Sequence, residues 1–525
     1  MEDRNVDIAI HTPAASINES FLIASRIINR LRDTAKRYYG VDGWLSVSDG
    51  VRNPQHSFDP RDYQHICKCV AYMWGNEQSL LKELPSRLFL DQIDRKDGHL
   101  LWCYGSDQRG VHIGQTARYL GDFFVYFGDK ILIGEKWDLI LKFIEWVYNQ
   151  FDYAGNGLIE DGSQRDGSRE PITFWGLNIG EPQNFPASDN PGNKVVVASM
   201  QWCWFMKNVA KYAIKHGLPK ADWLLDQFNL TYRSLEREAY DDEEGYYFLQ
   251  YDASKRKWYH SLNGMQESSR EVDVTPFYVA KVCENTVRRE SVAEYIYNII
   301  EKDGVFPTPI QYPTYHFDGP AGGYRDHGDT QFICGGSWGE AYYNTVILFE
   351  KVGMCDALYH SIKRRSDVHV RDKDILEWYF KDGTIDQVHA YHRDFYGVAA
   401  ASHLCAIIEG LFGLYPSGIS FEELNIRPNF PLGWKDEMVS IRVNIPLRGI
   451  FGYDWLFDSS KNAIEMTITP IPAITGHFRI RIPTPDIKKV LWDDSPLGFL
   501  VYQLHTNYFV EFSHALDGRM IVLEF

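Results

Sequence analysis

Between about residue 17 and residue 415 the chain alternates long amphipathic helical segments with long loops rich in aromatic, Gly and Pro residues. That rhythm restricts the fold more than any other feature. Apolar residues recur at three- and four-residue spacing through 20–39, 116–128, 136–151, 195–217, 221–240, 274–287, 337–353 and the stretch after Tyr396. This is the pattern of helices that bury one face. Gly128, Gly217 and Gly353 stand where such helices would end in a left-handed residue. The periodicity predicts about eleven or twelve helices, with no repeat at the sequence level. The loops at 40–60, 152–194, 241–270, 303–336 and 366–396 fall between alternate helices, with short turns opposite. Loops this long in a compact domain are usually functional. Elaboration on one side only is what a toroid of helical hairpins produces when its site opens at one end.

After Pro428 the texture changes. The runs VSIRVNIPL, IEMTITPI, HFRIRIP, KKVLW, FVEFS and MIVLEF alternate and are rich in β-branched residues, which predicts a small antiparallel sandwich. The expected organisation is a mainly α domain over 1–427 and a β-sandwich over 428–525 that caps it.

A net charge of −17 argues against nucleic acid, which needs clustered Lys and Arg, and against anionic membranes. A neutral or cationic small molecule fits better. Aromatic residues make up 15% of the chain, with 15 Trp, 32 Tyr and 30 Phe; a large core uses most of them, and sugar-binding clefts use such rings as stacking platforms. Of the eight cysteines only Cys67 and Cys69 are close, and CKC is neither a zinc nor a redox motif. Cys203 and Cys405 lie in apolar helical sequence and read as buried thiols. No signal pattern opens the chain and no run reaches the length of a membrane span, so a cytoplasmic, reduced enzyme is expected. The sequon at Asn229 is then silent.

Four segments carry residues suited to chemistry. In 377–414, Glu377 precedes Trp378, Tyr379 and Phe380, and a small-residue helix with Ala399, Ala400, Ala401 and Ala406 follows. A carboxylate beside aromatic surface can hold a sugar and activate water. In 156–176, Glu160, Asp161, Asp166 and Glu170 crowd one polar loop that ends at Trp175, a good place for a general acid, although Asp-Gly pairs are also common in turns. The loop lacks the calcium spacing of an EF-hand. In 322–354, Gly335 and Gly336 lead into Trp338 and Glu340; the Trp can floor a sugar subsite, while Glu340 either joins it or complements a helix N-terminus. In 56–66, Arg61 and Asp62 precede a helix and can bind hydroxyls. His389, His392 and His403 are expected as core or rim residues, with His392 at a subsite. The spacing of His389 and His392 lacks a helical zinc signature, so no metal and no cofactor is expected.

The order of these segments resembles the (α/α)6-barrel glycoside hydrolases that include trehalase, processing α-glucosidase I and mannosylglycerate hydrolase. Arg165-Asp166-Gly167-Ser168-Arg169 resembles their acid-bearing loop, with Gly where the family often has Asn. Gly336-Ser337-Trp338-Gly339-Glu340 is loosely similar to their Trp-led helix start, without its Pro and second Trp. The segment from Glu377 to Thr384 resembles the one carrying the catalytic base, with Thr-Gly inverted and a Pro replaced. The C-terminal sandwich is similar to that of rhamnosidases and disaccharide phosphorylases. The resemblance implies an (α/α)6 toroid that cleaves a terminal glycosidic bond of a small saccharide or glycoside by inversion. Asp166 would be the acid, with Asp161 in reserve, and Glu377 the base, the carboxyls roughly 6.5–9.5 Å apart. Trp175, Trp338 and Trp378 would line the pocket. A phosphorylase, or an epimerase using the histidines, is the alternative on the same toroid.

Overall fold

The computed structural model describes residues 8–39, 63–75, 93, 113–128, 130–152, 154–161, 193–260, 270–303, 311–312, 337–376, 378–379, 383–384, 396–446, 448–471 and 473–525. Among these residues there are eleven α-helices: α1 (Ala15–Tyr39), α2 (Tyr63–Trp74), α3 (Ile113–Tyr126), α4 (Lys130–Phe151), α5 (Val196–His216), α6 (Ala221–Glu238), α7 (Val274–Lys281), α8 (Thr286–Asp303), α9 (Gly339–Val352), α10 (Cys355–Asp372) and α11 (Gly397–Cys405).

The helices fall into two classes by burial, and the sequence explains both. In α2 every residue from His65 to Met73 is buried, in α9 every residue from Gly339 to Glu350, and in α11 all nine. A helix buried all round belongs inside the molecule. In α6, by contrast, only Leu224, Thr231, Ser234 and Leu235 are buried, a single stripe with a charged outer face. The packing follows. α2 packs on α3, α3 on α5, α5 on α7, α7 on α9, α9 on α11, and α11 returns to α2, so these six helices close a cycle. The striped helices lie outside it: α6 covers α5, α8 covers α7 and α9, α10 covers α9, and α1 covers α10 and α11. α4 joins through Phe143, whose ring lies 5.9 Å from that of Trp202. The connections between paired helices are short. Gly217 (φ 60°) and Gly353 (φ 77°) end α5 and α9 in left-handed geometry, as expected from their place in the sequence.

Two sheets form the C-terminal sandwich. One runs, in spatial order, Ala9–His11, Val439–Ile445, Gly449–Asp458, Ala463–Ile468, Met520–Glu524, Lys489–Trp492 and Ser495–Pro496. The other runs Leu414–Pro416, Glu423–Ile426, Thr475–Ile482, Asn507–Ala515 and Leu500–Leu504. All pairs are antiparallel except Glu423–Ile426 with Thr475–Ile482. The sheets therefore recruit strands from both sides of residue 428. Alternating residues such as Phe451, Tyr453, Trp455 and Phe457 point inward, and Trp455 meets Phe430 edge-on at 5.1 Å.

The sandwich sits on the C-terminal ends of the inner helices and satisfies carbonyls that a helix end leaves without partners. Asn444 donates to Met73 O at 2.8 Å, Tyr453 to Phe412 O at 2.6 Å, Asn507 to Gly353 O at 2.8 Å and Arg479 to Glu350 O at 2.6 Å. Two details differ from the sequence reading. α10 continues to Asp372, into a span expected as loop. Within 241–270 the chain forms short antiparallel pairs, Tyr240–Asp241 with Tyr246–Tyr247 and Gln250–Asp252 with Lys257–Tyr259, which are too short for alternation to register.

Candidate functional site

Residues toward the C-terminal ends of α3, α5, α7 and α9 (Tyr126, Lys211, Lys281 and Lys351) line one cavity, and α2 and the turn after α11 meet the sandwich through Met73 and Phe412, so the six inner helices run the same way. Their N-terminal ends therefore share one mouth, and short β pairs stand there as stems of the long loops. Glu160–Asp161 pairs with Asn193–Lys194 directly ahead of α5, so the acid-rich loop leaves and returns at that helix. Arg270–Glu271 pairs with Gln311–Tyr312 ahead of α7. Ser337–Trp338 pairs with Trp378–Tyr379 ahead of α9, with Trp338 and Trp378 as direct partners.

That last pairing brings together two of the four segments singled out in the sequence. Trp338 and Trp378 are each 4% exposed, and Glu340 lies buried in the first turn of α9. Arg365 of α10 supports this corner from behind. It donates to Ser337 Oγ at 3.2 Å and to His369 Nε2 at 3.1 Å, and its guanidinium lies 4.7 Å from the Tyr379 ring. Glu340 lies close enough to favour the charged form of Arg365, which burial disfavours. Gly339 permits the approach of α9 to α11, since a Cβ there would stand 2.7 Å from Ala399 Cα.

At the next stem, Glu271 and Asp273 form a buried acid pair that sequence reading passed over. Glu271 accepts the backbone N–H groups of Asp273, Val274 and Thr275 at 2.8, 2.6 and 2.8 Å, capping α7. Burial and the neighbouring Asp273 charge push its carboxyl up to about 7, against those N–H bonds. Burial also raises Asp273, while Arg118 opposes it. Asn344 donates to Asp273 Oδ1 at 2.7 Å and accepts from Arg118 at 2.6 Å, and Arg118 lies 3.9 Å over Phe277 and 3.5 Å from His65 Nε2. Burial, with Arg118 and Lys68 nearby, holds His65 well below its usual range, so it is neutral. The available signal was Glu271-Val272-Asp273 immediately before the apolar run VTPFYVA, two acids at a helix start.

Of the residues expected at the site, Trp338, Glu340 and Trp378 gather at the mouth, and the backbone of Asp161 stands in the α5 stem. Arg61, Asp62, Asp166, Trp175, Glu377 and His392 lie outside the described residues. His403 is a core residue: Nε2 meets Ser20 Oγ at 2.9 Å, the His369 ring stands edge-on at 4.5 Å, and burial with Arg365 pushes it down to about 3. It is therefore an uncharged, weakly basic ring at neutral pH, held in the core. Among the described residues no group of His, Cys, Asp or Glu is arranged to hold a metal ion, and no helix is long and apolar enough to cross a membrane. The six described cysteines are buried and free.

No model of a known family matches the chain, and no curated protein matches it in sequence. Solved structures do match in fold. A GH78 family rhamnosidase of Bacillus sp. GL1 superposes with a TM-score of 0.62 at 14% identity, over 90% of this chain and 43% of that one. An α-L-rhamnosidase of Streptomyces avermitilis in complex with L-rhamnose gives 0.62 at 12% identity, over 98% of this chain and 42% of that one. The GH63 mannosylglycerate hydrolase of Thermus thermophilus, in complex with Tris and D-glycerate, gives 0.51 at 13% identity, over 73% of this chain and 99% of that one. The chain spans half or less of the length of the rhamnosidases it matches. At these identities the likeness is one of fold, and the chain is similar in fold to (α/α)6-barrel glycosidases of the GH78 and GH63 families.

Proposed function

We propose that the chain is a glycoside hydrolase cleaving a terminal glycosidic bond of a small saccharide or glycoside, in an (α/α)6 toroid whose site opens at the N-terminal ends of the inner helices. The closed cycle of six buried helices supports the toroid, and the glycosidase folds it resembles support the chemistry. The observation that carries the reading is the pairing of Trp338 with Trp378 at that mouth. It joins a Trp-led helix start to the segment in which Glu377, the candidate base, directly precedes Trp378 in sequence.

In this reading Asp166, or Asp161 in its place, protonates the glycosidic oxygen. Glu377 takes a proton from the water that attacks the anomeric carbon from the opposite face, inverting it. Arg61, Asp62, Trp175, Glu340 and His392 contribute to sugar binding. Residues 1–427 supply the catalytic domain and the sandwich supports its closed end. Asp166→Asn and Glu377→Gln are each expected to lower hydrolysis of an aryl glycoside accepted by the parent at least about 100-fold. Either variant retaining near-parental turnover removes that residue from its role. The anomer released first, read by proton NMR, tests inversion.

A further inference from the structure

At the end of the ring opposite the mouth, where the inner helices meet the sandwich, lies a cavity of about 250 Å3. Five cationic side chains line it: Lys207, Lys211, Lys281, Lys351 and Arg427. Two acids share the wall, and each has a cationic partner outside it, although Glu350 also lies 3.8 Å from Arg427. Asp122 is held by Lys68 at 3.0 Å, and Glu350 is held by Arg479. Glu409 comes within 3.7 Å of Lys281, but the hydroxyls of Tyr343 and Tyr72 donate to it at 2.7 and 3.2 Å. The wall thus carries more positive charge than its carboxylates can offset.

Helix C-termini favour cations, and that accounts for Lys281 and Lys351 at the ends of α7 and α9. It reaches Lys207 as well, which lies more than two turns inside α5 but donates at 3.0 Å to Lys281 O, the last carbonyl of α7; it does not account for Arg427, which lies on no helix. Arg427 Nε is buried without a hydrogen-bond partner. The cations also disturb one another. Burial, then Lys211, pushes Lys207 down to about 8; burial, then Arg427, pushes Lys351 down to about 8. Such a wall gains most from an anion with several acceptor oxygens. Trp204 and Tyr415 add ring surface beside the charges, which suits a sugar attached to that anion.

We propose that this cavity binds the phosphate dianion, as inorganic phosphate or as the phosphate of a small phosphorylated sugar. It is a binding site and not an acceptor site for the reaction. α9 spans 14 residues, roughly 20 Å, with Trp338 at one end and Lys351 at the other, so a phosphate held here is out of reach of a sugar stacked at the mouth.

The test is calorimetric titration of the full chain with sodium phosphate and with glucose 6-phosphate, at constant ionic strength. The parent is expected to bind at least one probe, and Lys207→Met and Lys351→Met are each expected to weaken that binding at least about tenfold, the loss of one charge-assisted hydrogen bond. Without phosphate Lys351→Met should melt no lower than the parent, because it removes a charge that Arg427 repels, whereas Lys207→Met also loses its bond to Lys281 O. If either fails to fold, Lys211→Met on the exposed rim serves in its place. Tighter binding of glucose 6-phosphate assigns the site to a phosphorylated sugar, and equal binding assigns it to phosphate itself. Absence of binding by both probes, or unchanged affinity in the variants, overturns the proposal.

Discussion

Arg479 tests how the sandwich is fastened to the helical ring. It is 3% exposed and reaches from the strand Thr475–Ile482 to the C-terminal turn of α9, where it donates to both the carbonyl and the carboxylate of Glu350. Replacing it with Met keeps much of its volume and removes the charge. Glu350, itself 1% exposed, then keeps Arg427 at 3.8 Å, the Tyr415 hydroxyl at 3.3 Å and the more distant charges of Lys351 and Lys281. Removing one partner of a buried pair costs about 3–5 kcal/mol, and the surviving contacts place Arg479→Met near the lower end, about 3 kcal/mol. The double variant Arg479→Met with Glu350→Gln should recover part of that loss, because the Glu350 charge no longer lies buried without Arg479, although Arg427 gives up its partner at 3.8 Å.

The pH dependence has a defined sign. Burial alone would raise the Glu350 carboxyl, but Arg479 and then Arg427 overcome it and hold it below its usual range. In the parent this group therefore adds stability above its unfolded pKa, and that contribution is lost as pH falls through the lower folded value. Without Arg479 the burial effect gains weight and the carboxyl moves up, so the variant's defect should narrow as pH falls through about 4.5. Urea unfolding of the full chain, followed by tryptophan fluorescence at pH 7 and pH 4.5, measures both effects. A single-variant loss below about 1 kcal/mol, or singles that simply add in the double variant, would refute the coupling.

Gly339→Ala should lower the urea midpoint and hydrolytic activity together, since its Cβ would stand 2.7 Å from the α11 backbone and only movement of α9, with Trp338, can relieve it; the expected cost is about 1–3 kcal/mol. An unchanged near-ultraviolet tryptophan spectrum in that variant would count against the pairing of Trp338 with Trp378. Glu409→Gln should cost about 1–3 kcal/mol in the same assay, because the amide turns a donor toward the Tyr72, Tyr126 and Tyr343 hydroxyls that now donate to a carboxylate.

What the sequence made legible is what depends on local periodicity. The helical stretches, the C-cap glycines at 217 and 353, and the alternating runs after Pro428 are each visible within a window of a few turns, and each has its counterpart in the fold. The site was legible only in parts. Trp338 and Glu340 stood out through the Gly-rich approach to a helix start, and Trp378 through its neighbours. Nothing local could say that Trp338 and Trp378 become partners, because 40 positions and a full helical hairpin separate them. The acid pair Glu271 and Asp273 was passed over for a related reason. Two acids before an apolar run look like ordinary helix-dipole partners, and only the ring brings Arg118 from α3 and Asn344 from α9 to meet them.

The same limit explains the interior of the ring. Lys68, Arg118, Asp122, Asp273, Asn344 and Glu409 all lie on or beside inner helices and are almost fully buried, where a stripe-based reading expects apolar residues. They are tolerable there because each meets a partner from a different helix: Lys68 of α2 meets Asp122 of α3, Arg118 of α3 meets Asn344 of α9, and Glu409, in the π-helical turn Ala406–Leu411 after α11, meets Tyr72 of α2 and Tyr343 of α9. An apolar ring could slide by a turn at little cost, whereas this one would leave buried charges unpaired. The polar interior therefore fixes the register of the inner helices against one another. That register in turn holds the loop stems at the mouth and the cationic cavity at the closed end.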